Sequence, residues 1–134
     1  YNWLSSNQEN AMAIGYNKLE YIQKEPLLWC YYQKFQDVIN EGNKRLLIIG
    51  YGFRDKHINK VLVEGISKYG LRLYIINPTD PSDFKKSFDN GIHDVKDIIW
   101  SALHGYFPYT LKQIIPFGRG GKFYQDDIFN ALTS

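Results

Sequence analysis

Cysteine is almost absent from this sequence: Cys30 stands alone among 134 residues, which excludes an internal disulfide and any multi-cysteine zinc cluster in the chain. Its neighbours Leu27, Leu28 and Trp29 lead us to expect a buried, inert thiol. A charge imbalance is also missing. Sixteen Lys and Arg against 14 Asp and Glu leave a formal net charge of +2, too little for a phosphate-backbone footprint or a polybasic anchor. Neither nucleic acid nor a membrane is therefore expected as a partner. No apolar run approaches the roughly 18 residues of a membrane span, and no signal-peptide core precedes the first elements. A reducing, cytoplasmic setting is the expectation. The chain begins at Tyr1 without an initiator methionine, which fits an excised segment, and it contains no internal repeat or low-complexity tract.

What is present is the composition of a folded domain. Apolar residues make up 44%, enough for a core in a chain whose length suggests one domain. The 16% aromatic content is expected to serve packing before it serves a stacking surface.

The polar segment 1–24 reads as loop with one short helix. From Pro26, the spacing of Leu28, Tyr31, Tyr32, Phe35, Val38 and Ile39 predicts a helix ended near Gly42. Arg45 to Gly50 is a short apolar run closed by glycine, as expected of a strand covered on both faces. Asp55 can cap the next helix, the stripe Ile58, Val61, Leu62, Ile66, Tyr69 runs along it, and Gly70 can end it. A second strand, Leu71 to Ile76, closes at Asn77-Pro78. This strand-helix-strand unit has the length of a right-handed parallel crossover. Downstream, the pattern predicts a helical turn over Phe84 to Asn90, with thin evidence for a short strand near Gly91-Ile92. A helix from about Asp94 through Leu103, a short helix before Pro116, a loop from Phe117 to Lys122, and a last helix from Asp126 to Leu132 follow. Only two strands are convincing, and the others of the sheet are expected upstream, outside this chain.

Ligands of open α/β sheets bind beyond the carboxyl ends of the strands, where Gly50 to Asp55 and Asn77-Pro78 both fall. Gly50 and Gly52 would admit a ligand close to the backbone, and the helix starting near Asp55 would aim free N–H groups at it. Asn77 could hold ribose hydroxyls through its donor and its acceptor. Equally, the glycines could serve only a tight turn, and Asn77 only the turn before Pro78.

The string Leu47-Ile-Ile-Gly-Tyr-Gly-Phe-Arg-Asp-Lys-His-Ile-Asn59, followed by Leu73-Tyr-Ile-Ile-Asn-Pro78, resembles the SIR2-like family of NAD-consuming proteins. The resemblance implies an α/β fold, the C-terminal part of a SIR2-like domain with a partial Rossmann-like parallel sheet flanked by helices. It places Gly50, Tyr51, Gly52 and Phe53 on the Gly-Thr-Ser type segment that lines the NAD ribose site. Asn77, with Pro78 after it, falls on the ribose-contacting asparagine. Asp55 and Asn59 match the bacterial form as structural anchors. Position 52 departs from the pattern: glycine replaces the usual serine, removing a hydroxyl hydrogen bond to the cofactor. The segment Gly105 to Ile115 is similar to the tail of bacterial members, so the likeness runs from about Pro26 to Ile115.

The family's Gly-Ala-Gly type loop, catalytic Asn and His-Gly element precede this strand and are missing here, so no catalytic residue is expected in this chain. By the same resemblance the parent protein is an NAD+ hydrolase that yields nicotinamide and ADP-ribose in bacterial antiphage defence. Deacylation fits less well, because sirtuin deacylases typically carry a four-cysteine zinc module. The alternative is a noncatalytic nucleotide-sensing or protein-interaction module. Expected partners are NAD+ and the remainder of the parent chain, with a homo-oligomer admitted and no metal. In domain terms, 1–25 joins the missing half, 26–116 is the Rossmann portion, and 117–134 is a loop and short helix of the same domain.

His104-Gly105 imitates the catalytic His-Gly pair in the wrong chain order, and a helix-terminus role is expected for it. His57 and His93 lack partners at metal-ligand spacing and are expected at the surface. Arg119 and Lys122 lack phosphate-loop spacing and are expected in a solvated loop.

Overall fold

The computed structural model describes residues 22–88, 93–116 and 119–134. The expectations for the polar N-terminal segment up to residue 21 and for a strand at Gly91-Ile92 lie outside the described residues. The chain divides into two compact units, Tyr1–Asp37 and Val38–Ser134, with the boundary inside helix α1, Pro26–Asn40. Gly42, at φ 86°, follows that helix in the left-handed conformation that only glycine adopts at little cost. Along α1 the covered side chains are Leu28, Trp29, Tyr32, Phe35 and Ile39, whereas Tyr31 and Val38 are exposed. Cys30 is exposed as well, against expectation. It stands two residues before Tyr32, about 200° around the helix from the covered stripe.

The second unit is built on a parallel sheet of order β1-β2-β3, comprising Arg45–Ile49, Arg72–Ile76 and Leu103–Phe107. Helix α2, Lys56–Tyr69, connects β1 to β2, and α3, Pro81–Ser87, with α4, His93–Ser101, connects β2 to β3. Strands added in one direction through right-handed crossovers put their helices on the same face, and α2 packs against α4 there. Successive strand residues point to opposite faces. Tyr74 and Ile76 accordingly join Phe107, Ile114 and Ile128 in a core on the face covered by the C-terminal helices, with Leu47 packed against it. The fully buried Leu73 and Ile75 point the other way. The second unit is thus α/β, with an open three-stranded parallel sheet flanked by helices in a partial Rossmann-like arrangement.

The third strand corrects the two-strand expectation. Leu103-His-Gly-Tyr-Phe107 follows α4 almost directly, so Leu103 completes a helical stripe while His104 and Gly105 interrupt any strand pattern. A bulge explains how they fit. Leu73 pairs with Leu103 and Tyr74 with Gly105, leaving His104 as the extra residue. His104 is exposed, its Nδ1 3.0 Å from the Ala102 carbonyl oxygen, so its expected place at a helix terminus is replaced by a place in a strand. Gly105 makes room for the Tyr74 ring: a Cβ there would lie 2.8 Å from Tyr74 Cδ1.

Two further corrections concern the C-terminal region. After α5, Leu111–Ile114, a single 3-10 turn, Arg119–Gly121, leads straight into α6, Lys122–Thr133. The expected loop therefore ends earlier and the last helix starts four residues sooner. Gly121, buried against Pro116 and the Ile114 carbonyl with no space for a side chain, sets that start. Tyr124 then meets the edge of the Tyr109 ring at 4.8 Å. β1 is less covered than expected, with Ile48 alone buried and Ile49 exposed, because it forms the edge of the sheet, and the Arg45 guanidinium at its head donates to the Leu132 carbonyl.

Candidate functional site

The register of β1 and β2 pairs Ile49 with Ile76, so Gly50 and Asn77 leave the sheet side by side. From Gly50 to Asp55 the chain crosses into α2 by a turn containing two left-handed residues, Gly50 at φ 67° and Phe53 at φ 53°. Only the first is a glycine. The conformation at Phe53 costs about 1–2 kcal/mol in an L-residue, and its surroundings offset that cost. The ring is wholly buried, 4.9 Å from Tyr51, 5.1 Å from Phe88 and 6.1 Å from Phe84 between centroids. Burying such a ring is worth about 1.5–3 kcal/mol. Trp100 and Tyr106 extend the same aromatic cluster, so these aromatics pack a core beneath the strand ends.

Polar contacts complete the turn. Asn59, buried on the first turns of α2, donates through Nδ2 to the Phe53 carbonyl at 2.7 Å. Its Oδ1 accepts from the Tyr51 hydroxyl at 2.9 Å, and that hydroxyl lies 3.2 Å from the Asp55 carbonyl, a second acceptor. Burial, and then the nearby Asp55 charge, push the Tyr51 phenol far above its ordinary range, so it remains a donor. Asp55 caps α2, accepting from His57 N at 3.0 Å and Ile58 N at 3.3 Å. Both Asp55 and Asn59 thus act as the anchors expected of them. One expectation changes: two α2 N–H groups that were to face a ligand are held by the chain's own carboxylate. An anionic pyrophosphate is poorly served there, while neutral hydroxyls are not opposed.

Each proposed contact residue can now be located. Gly50 and Gly52 are exposed, with no atom within 4 Å of where a Cβ would stand. Gly50 needs glycine for its backbone; Gly52 has no positive φ and no crowding, so the fold itself gives no reason for glycine there. Tyr51 is half-buried and turned toward Asn59, and Phe53 faces the core, so neither presents its side chain as the glycines present their backbone. Asn77 forms an Asx turn: its Oδ1 accepts from Thr79 N at 2.9 Å, leaving Nδ2 as the group the turn does not use. Pro78 is exposed beside it. Tyr106 donates its hydroxyl to the Thr79 carbonyl at 2.7 Å, a support from β3 that sequence reasoning missed along with the strand.

Among the described residues, no group of three or more His, Cys, Asp or Glu is placed to hold a metal, and no helix is long and apolar enough to cross a membrane. His57 lies part-buried in the first turn of α2, and His93 is the first residue of α4 rather than part of a loop.

The surface these turns make suits part of a nucleotide: two open glycine positions, a neighbouring amide, and a carboxylate already committed to a helix cap. A family model described as SIR2-like domain matches residues 6–94, about two-thirds of the chain. The match runs through β1, α2, β2 and α3 to the start of α4, and ends short of Gly105 to Ile115. No curated protein and no solved structure matches.

Proposed function

The chain belongs to the SIR2-like domain family, sirtuin-related NAD-binding modules, and on that premise we propose that it forms the ribose wall of an NAD+ hydrolase. The observation that carries this reading is the pairing of Ile49 with Ile76, which sets the open Gly50–Gly52 backbone beside Asn77 at the carboxyl ends of two parallel strands. Main-chain groups at Gly50 to Gly52 and the Asn77 amide would hold ribose hydroxyls. The pyrophosphate would be held elsewhere, because Asp55 occupies the α2 terminus.

In the reaction, water replaces nicotinamide at the ribose anomeric carbon, releasing nicotinamide, ADP-ribose and a proton. This chain's share is to bind, orient and desolvate the dinucleotide, while the groups that position water belong to the remainder of the parent SIR2-like chain. The role we propose for that activity is bacterial antiphage defence, a reading suggested by the resemblance of the turn after β1 to bacterial SIR2-like proteins. The Asx turn at Asn77 favours a second reading, a noncatalytic nucleotide-sensing or docking module, since it gives that residue a reason to exist without a ligand.

Nicotinamide release from NAD+ by the full-length parent, beside the 134-residue chain, tests the proposal. Turnover by the parent and none by the chain alone is expected. Turnover by the isolated chain would contradict the division of labour, and none by either would leave the module reading.

A further inference from the structure

We propose that the Asn59 side chain, together with the Tyr51 hydroxyl, positions the ligand-facing glycine turn, so that these two side-chain groups set NAD+ affinity without touching the dinucleotide. The inference rests on the ribose-wall reading and adds to it the residues that shape the wall.

Three observations converge. First, the turn holds a left-handed Phe53, a conformation that an L-residue keeps only when its surroundings over-determine it. Second, the carbonyl of that residue is bonded by Asn59 Nδ2, and Asn59 Oδ1 is bonded by the Tyr51 hydroxyl. One buried side chain therefore joins the residue before Gly52 to the residue after it, and α2 supplies the rigid mount. Third, the space where a Gly52 side chain would stand is open, with no atom beyond the chain neighbours within 4 Å of a Cβ placed there. Tyr51 and Phe53, the residues on either side of Gly52, are the two that Asn59 ties together.

Aspartate in place of Asn59 would keep an acceptor for Tyr51 but remove the donor to Phe53. Phenylalanine in place of Tyr51 would keep the ring against Phe53 but remove the hydroxyl. Each change loosens one side of Gly52, and an enzyme whose wall is misplaced binds its substrate more weakly while an unaltered catalytic group turns over what is bound.

The test uses the intact parent protein with NAD+ as the probe, in wild type, Tyr51→Phe, Asn59→Ala and Asn59→Asp. Hydrogen exchange of the Gly50 to Phe53 amides is read alongside steady-state KM and kcat. The expected result is faster exchange confined to the turn, β1 and α2 remaining protected, with KM raised about tenfold and kcat little changed. Tyr51→Phe serves where Asn59→Ala fails to fold. Unchanged exchange in the turn, or wild-type KM in folded variants, overturns the inference. A wild-type protein that does not bind NAD+ overturns the ribose-wall reading instead, and with it the affinity role.

Discussion

The two glycines of the turn should respond in opposite ways to the same substitution. Gly50 adopts φ 67° in open space, so an alanine there meets no atom and pays only for the left-handed backbone, about 1–2 kcal/mol. Gly52 has neither a left-handed backbone nor an atom within 4 Å of where a Cβ would stand. Gly52→Ala should leave stability unchanged or raise it by up to about 1 kcal/mol, because alanine restricts the unfolded chain. Urea unfolding of the parent protein, followed by circular dichroism, separates the two if both variants keep the wild-type m value. Gly52→Tyr should likewise fold but fill the space a ribose needs, and lose NAD+ binding. A Gly52→Ala variant as unstable as Gly50→Ala would refute the reasoning, since the fold would then need that glycine and no ligand need be invoked.

Other expectations follow from single contacts. Gly105→Ala drives a methyl into the Tyr74 and Phe107 rings and should cost about 1–3 kcal/mol, read from the same unfolding curves. Asp55→Ala removes the α2 cap and should cost about 1 kcal/mol; equal stability of the two proteins would discount the cap. Tyr106→Phe removes the bond from β3 to the Thr79 carbonyl, leaving the Asn77 N–H bond to the Phe107 carbonyl, and should weaken NAD+ binding with little change in unfolding midpoint. Asp80 caps α3, and hydrogen bonds from Ser82 hold its carboxyl below the ordinary aspartate value. Its contribution is complete above that ordinary value and fades as pH falls through the lowered one. A pH titration of the Ser82 amide by NMR should show this, and Asp80→Asn should abolish it.

The strand-helix-strand unit was legible because independent local signals agree there. An apolar run too short for a helix ends at glycine, Asp55 caps the next element, and Gly70 terminates it at φ 65°. Three features were hidden for physical reasons. The third strand carries a bulge at His104 and a glycine that yields to Tyr74, and neither leaves the alternation by which strands are read. The left-handed Phe53 looks like any aromatic residue in a one-dimensional pattern; only its buried contacts make the conformation affordable. Asn59 was marked as an anchor by resemblance, but its partners, the Phe53 carbonyl and the Tyr51 hydroxyl, are brought to it only by the folded turn. At the site itself, the placement of Gly50, Gly52 and Asn77 at neighbouring strand ends was legible. The cap by Asp55 was legible too; what it costs a phosphate at the α2 terminus was not, because a capping residue and a phosphate compete for the same donors.

The central claim is that the open turn after β1 and the asparagine after β2 form one wall for the ribose of NAD+. Calorimetric titration of NAD+ into the parent protein, comparing wild type with Asn77→Ala and Gly52→Tyr, tests it most directly. Saturable binding by the wild type is expected, with its loss or marked weakening in both variants, each still folded. Wild-type affinity in both variants would contradict it.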